Sequence, residues 1–154
     1  MTDKTETATA AGSQEMSSPA WFRVVAVVAL LWFLMDISAF FMRVLMTEEG
    51  INAMPVNQQH LYRNMPVWVN IVFAGEVFGG ALGSVALLLK KKWALPLFAV
   101  SILGVLSQTF HIWIRSDAIS VMGAPAVVMP LVAILIGVGM IVLTKSAIAK
   151  GWLR

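Results

Sequence analysis

The chain contains no cysteine, which excludes disulfides, thiol nucleophiles and thiolate metal sites and leaves the redox compartment unread. Charge is scarce as well. Only 12% of the residues are Asp, Glu, Lys or Arg, about half the share of an ordinary soluble domain. Histidine occurs twice, at His60 and His111, with no second ligand at zinc spacing, so no metal is expected. No serine or threonine stands at a recognisable interval from a base, and the glycines follow no strand of the kind a nucleotide loop requires. Neither an enzyme nor a cofactor is therefore expected. The net charge of +3 is small and its basic residues flank apolar segments, which suits membrane topology and argues against a nucleic-acid partner.

What fills the sequence instead is apolar. Hydrophobic residues make up 59% of the 154, and the mean hydropathy of +0.83 makes a lipid bilayer the expected solvent and partner. Residues 1–19 are rich in Thr, Ala and Ser without apolar periodicity and read as a disordered cytoplasmic tail. Residues 20–154 then hold four apolar segments, at about 22–45, 66–89, 93–114 and 126–144. Each is close to the roughly 20 residues that cross about 30 Å of hydrocarbon. The first is too long for a signal-peptide core and is expected to remain as a helix. Pro66 and Pro125 mark helix starts, Pro96 sits in a first turn, and Pro130 is placed to kink the fourth helix.

The expected fold is an all-α integral membrane bundle of four helices. With the N-terminus inside, Lys4, Arg23, Lys90, Lys91, Lys92, Lys145, Lys150 and Arg154 fall on the cytoplasmic side and only Arg43, Arg63 and Arg115 outside. That bias places both termini in the cytoplasm of a multi-pass inner-membrane protein. Tryptophans agree, with Trp21, Trp93 and Trp152 at the inner boundary and Trp68 and Trp113 at the outer. The external loop spaces Met54, Gln58, Leu61 and Met65 at helical intervals, so a short surface helix and an irregular loop both remain open. A shift of 72 places Trp21 on Trp93, Asp36 on Gln108 and Arg43 on Arg115, which suggests two tandem helical hairpins.

Ionisable residues inside a bilayer cost about 2.5–3.5 kcal/mol each at the helix centre and are functional candidates for that reason. Asp36 and Glu76 are two such residues. Gln108 and His111 share a face of the third helix at i and i+3, and Arg43 lies one heptad beyond Asp36 as a counter-ion. Depth arithmetic puts Asp36, Glu76, Gln108 and His111 in the outer half or near the centre of the bundle, close enough in height to meet in one polar cluster. One reading makes Asp36 and Glu76 a proton-binding or substrate-binding pair with His111 as relay; the other makes these groups hydrogen-bonded cross-links between helices. Gly75, Gly79 and Gly83 recur every four residues, with Gly80 beside them, and provide a packing face or a homo-oligomer interface.

The stretch comprising Leu61-Tyr62, Pro66-x-Trp68, VFGGALG at 77–83, LLLKKKWALPLF at 87–98 and Gln108 resembles a family of small four-helix bacterial inner-membrane proteins often labelled sugar transporters. The resemblance spans roughly residues 21–115, and 66–98 is its most specific part. It implies a four-helix membrane fold and a small solute such as a sugar, and assigns no binding residues. Where members often carry Asn after the first-helix tryptophan, Trp32 is followed here by Phe33. Trp32, Phe33, Phe40, Phe73 and Trp113 are candidates for the aromatic surface of a sugar site. The competing expectation is a non-transporting accessory protein of the envelope, whose polar groups only fix helix packing.

Overall fold

A computed structural model describes residues 18–154; the tail at 1–17, with Lys4, lies outside the described residues. The elements in order are α1 (Ala20–Val44), α2 (Glu48–Asn52), α3 (Val56–Arg63), α4 (Val67–Leu88), α5 (Ala94–Phe110), α6 (Ala118–Met122) and α7 (Pro125–Ala149). A single π-type turn, His111–Arg115, continues α5. Among the described residues there is no strand, and α1, α4, α5 with its π turn, and α7 are each long and apolar enough to cross a membrane. The all-α four-helix architecture is thus established. The loop resolves into two helices, α2 and α3, with Met54, Gln58, Leu61 and Met65 all half-buried, and Leu61 and Met65 reach the space between the long helices.

The bundle is built around the hairpin of α4 and α5. α1 packs on α4 and α7 packs on α5, while α3 and α6 meet across one end. Glycine permits this closeness. A Cβ on Gly79 would stand 2.9 Å from the Leu97 carbonyl, and one on Gly104 would stand 2.7 Å from the Glu76 Cβ and 2.9 Å from the Val72 carbonyl. Gly83 faces the ring of Phe98, and Gly80 the ring of Phe33 on α1. Gly75 meets only Val100 at ordinary contact distance. The glycine face, open in the sequence reading to a second copy, is therefore taken up by this chain's own α1 and α5, and a homo-oligomer would need another surface.

Three buried hydroxyls within the long helices are satisfied locally, as an apolar surround demands. Ser84 donates to the Gly80 carbonyl at 2.9 Å, Thr109 to Val105 at 2.7 Å and Thr144 to Met140 at 2.6 Å. The outer faces of α1 and α7 carry exposed Val24, Leu31, Leu135 and Val142, the surface that hydrocarbon would cover.

One end of the bundle is closed by two matched caps. The backbone N–H of Lys91 donates to Ala86 and that of Lys90 to Leu87, while Trp152 donates to Ala147 and Gly151 to Ile148. Both are Schellman motifs with a left-handed residue after the helix, Lys90 at φ 56° and Gly151 at φ 72°. The two caps then pair, Arg154 N–H to Lys90 at 2.7 Å and Lys92 N–H to Arg154 at 2.9 Å. Trp21, Phe22 and Trp152 pack edge to face beside them. The fourth helix accordingly runs to Ala149 and not to 144. Lys145 interrupts the apolar run without ending the helix, because its side chain is exposed while Ala147 beyond it is fully buried.

The tandem-hairpin idea fits only half of the chain. Positions 36 and 108, and 43 and 115, do line one common space. By contrast α4 shifted by 72 would begin near residue 139, whereas α7 begins at Pro125.

Candidate functional site

Away from the closed end, residues of α1, α4, α5 and α7 line a cavity of about 470 Å³, with α3, the π turn and α6 around its mouth. All five site candidates from the sequence line it: Asp36, Arg43, Glu76, Gln108 and His111. At 1.5 Å per residue, Asp36 lies about 12 Å from the C-terminal end of α1 and Glu76 about 13.5 Å from the start of α4. They share a depth near mid-bundle, within electrostatic reach of one another.

Three of the five form a continuous hydrogen-bonded chain. Arg43 Nη1 donates to Gln108 Oε1 at 2.9 Å, and Gln108 Nε2 donates to Glu76 Oε2 at 2.9 Å. Its direction is forced. Arginine can only donate, so it holds the amide oxygen, which leaves the amide NH₂ for the carboxylate. Arg43 also donates through Nη2 to the Met65 sulfur and lies over the Phe73 ring, 5.1 Å from its centroid. Its Nε is buried without an acceptor among the described residues.

Glu76 is 94% buried, since only 6% of it is exposed, and it reaches this position because Gly104 lets the two helix backbones touch. Its second oxygen, Oε1, takes no hydrogen bond from the described residues. Asp36 is half-buried, one turn beyond Trp32, whose indole sits against the carboxyl group. The two acids do not hydrogen-bond each other.

Two roles read from sequence are corrected. Arg43 is not the partner of Asp36: seven residues of helix separate them by about 10 Å, and the guanidinium crosses instead to Gln108 on α5. His111 makes no hydrogen bond to either acid; its ring meets Trp68 edge to face at 5.3 Å. Of the five aromatic candidates, Trp32 and Phe73 line the cavity. Phe33 is spent on Gly80 and Phe98, Phe40 packs on Phe41, Phe73 and Phe78, and Trp113 donates its indole N–H to the Ala126 carbonyl at 3.2 Å.

The mouth of the cavity adds His60 and Tyr62 from α3, Arg115 from the π turn, and Asp117. None of these four was a site candidate in the sequence reading. The π turn is their signal in the fold, since one extra residue per turn re-aims the end of α5 and such turns concentrate at functional sites. Nothing in the residue pattern marks it. No described protein family, curated protein or solved structure matches the chain.

Proposed function

We propose that this chain is a multi-pass inner-membrane protein that binds a small polar solute in the cavity beside Glu76 and moves it across the membrane, alone or as a subunit of a larger carrier. The observation that carries the reading is the cavity itself. Its volume falls in the range of about 300–1,000 Å³ typical of small-molecule sites, and it places a deeply buried carboxylate with one uncommitted oxygen among apolar and aromatic walls. The resemblance of residues 61–108 to membrane proteins labelled sugar transporters agrees, as do Trp32 and Phe73 beside two carboxylates. Orientation is part of the proposal. Lys90, Lys91, Lys92, Lys150 and Arg154 gather at the closed end, which would face the cytoplasm, with the cavity opening outward.

A second reading has its own observation. The chain Arg43–Gln108–Glu76 links α1, α5 and α4 without any ligand, as a purely architectural cross-link in an accessory protein would. One experiment separates the two. Asp36→Asn and Glu76→Gln variants are purified, their thermal stability in detergent is compared with the parent, and sugar and proton flux are followed in vesicles. Flux that disappears while stability is kept supports the carrier; an inactive parent with destabilised variants leaves the architectural role.

A further inference from the structure

A count of charge around the cavity sharpens what it would accept. Asp36 and Glu76 share one depth in the cavity, and Arg43, two turns of α1 beyond Asp36, is the basic residue of the long helices that reaches toward them through Gln108. Arg43 is committed: one Nη to Gln108, the other to the Met65 sulfur, its plane on Phe73, and its charge set against Glu76 through the Gln108 amide. Asp36 has no basic partner among the described residues. From the other elements around the cavity come His60 and Tyr62 of α3, His111 and Arg115 of the π turn, and Asp117. Arg115 and Asp117 are exposed and offset one another at the outer end, and the His111 ring is engaged by Trp68. The inner part of the cavity therefore holds two carboxyl groups with no basic side chain bonded to Asp36 among the described residues. Glu76 bonds through Oε2 alone, so its Oε1 takes no hydrogen bond from the described residues there.

We infer that the cavity is a site for a monovalent organic ammonium ion with an apolar body. The inference rests on the reading that the cavity takes a solute at all, and it names the class. An anion would sit against two carboxyl groups, and a neutral sugar would give neither of them a cationic partner. A metal ion would need more hard oxygen donors than two carboxylates, and among the described residues no third carboxylate or imidazole joins them. An ammonium ion with hydrocarbon around it suits every wall present. Asp36 and Glu76 Oε1 supply carboxyl oxygens, Trp32 an aromatic wall, and Met35, Ile112 and Met129 an apolar surround. Phe73 already holds a cation on its face in this same cavity.

The test uses the full chain purified in dodecylmaltoside, titrated calorimetrically with benzyltrimethylammonium chloride and, separately, with glucose, each against sodium chloride at matched ionic strength. Saturable binding of the cation at one site per chain is expected, with glucose at least about tenfold weaker. Asp36→Asn is expected to weaken the cation about tenfold or more, and Trp32→Leu about fivefold. Circular dichroism and gel filtration establish that each variant is folded. Should Asp36→Asn not fold, Asp36→Glu keeps the charge and must retain binding, and Trp32→Leu still probes the ring. Glucose binding without cation binding overturns this inference and keeps the solute site. Binding of neither overturns both. Cation binding that is indifferent to Asp36 and Trp32 assigns it to the micelle and refutes the site.

Discussion

Gln108→Leu tests the hydrogen-bonded chain at its middle link. Leucine keeps nearly the same volume and removes both the acceptor for Arg43 and the donor for Glu76, so each 2.9 Å bond is lost at once. Hydrogen bonds between membrane helices average about 0.6 kcal/mol and reach about 1.7. Bonds to charged groups lie higher, at about 1.5–3 kcal/mol. Two bonds across one amide also hold the opposite charges within about 8 Å, where an effective dielectric of about 20 gives about 2 kcal/mol of attraction. Without the bridging dipole and its geometry, part of that attraction is lost. A destabilisation of about 2–4 kcal/mol follows, read as a shift in reversible unfolding by SDS in mixed micelles. A double-mutant cycle of Arg43→Leu and Glu76→Gln should show coupling of about 1 kcal/mol in the parent and close to none on the Gln108→Leu background. Stability of Gln108→Leu within about 0.5 kcal/mol of the parent, or coupling that survives the loss of Gln108, would refute the chain as a mechanical unit.

Two further outcomes follow from the packing. Gly104→Ala should destabilise by about 1–2 kcal/mol in the same assay, because its Cβ would sit 2.7 Å from Glu76 Cβ and overpacking outweighs the gain in helix propensity. Gly139→Ala, with nothing within 4 Å of the new methyl, should be neutral or slightly stabilising; equal effects at the two sites would remove the close-approach argument. Lys90→Gly should stabilise by up to about 1 kcal/mol, because a left-handed residue with a side chain is replaced by one that adopts φ 56° freely; a loss of stability would show that the Lys90 side chain matters more than its backbone.

The fold was legible because hydropathy records solvent directly: four apolar runs can satisfy their backbones in lipid only as helices. The helix ends were less legible. At α7 the apolar count stopped at Lys145, whereas Gly151 carried the true stop signal as the left-handed residue of a Schellman cap. At α4 the same cap uses Lys90, which no residue pattern would have singled out. In the site, membrane depth was enough to gather Asp36, Glu76, Gln108 and His111 around one cavity, because helical rise converts residue number into height. Partners were not legible, because azimuth decides them. Arg43 turns away from Asp36 toward Gln108, and Glu76 finds Gln108 through a backbone contact at Gly104, a glycine outside the four-residue repeat that had drawn attention to α4.

The contrast between the two ends of the bundle sets a requirement on any transport cycle. The α4–α5 hairpin is locked by close contacts at Gly79 and Gly104 and makes a rigid post, on which α1 packs through α4 and α7 through α5. A solute entering between them from the outer end would have to leave where Trp21, Phe22 and Trp152 now close the bundle. The chain has no cysteine, so a pair can be introduced on a clean background. Trp21→Cys with Trp152→Cys, positions whose rings lie 6.1 Å apart between centroids, can be joined by a short bifunctional thiol reagent. Joining them should stop flux of glucose or benzyltrimethylammonium in vesicles while leaving binding in detergent within about twofold of the unlinked protein, and cleaving the link should restore flux. A fixed binding site with alternating exits requires that separation of binding from movement. Flux that continues with the ends joined would mean that the solute path does not run between α1 and α7, and the rigid-post description of the cycle would be wrong.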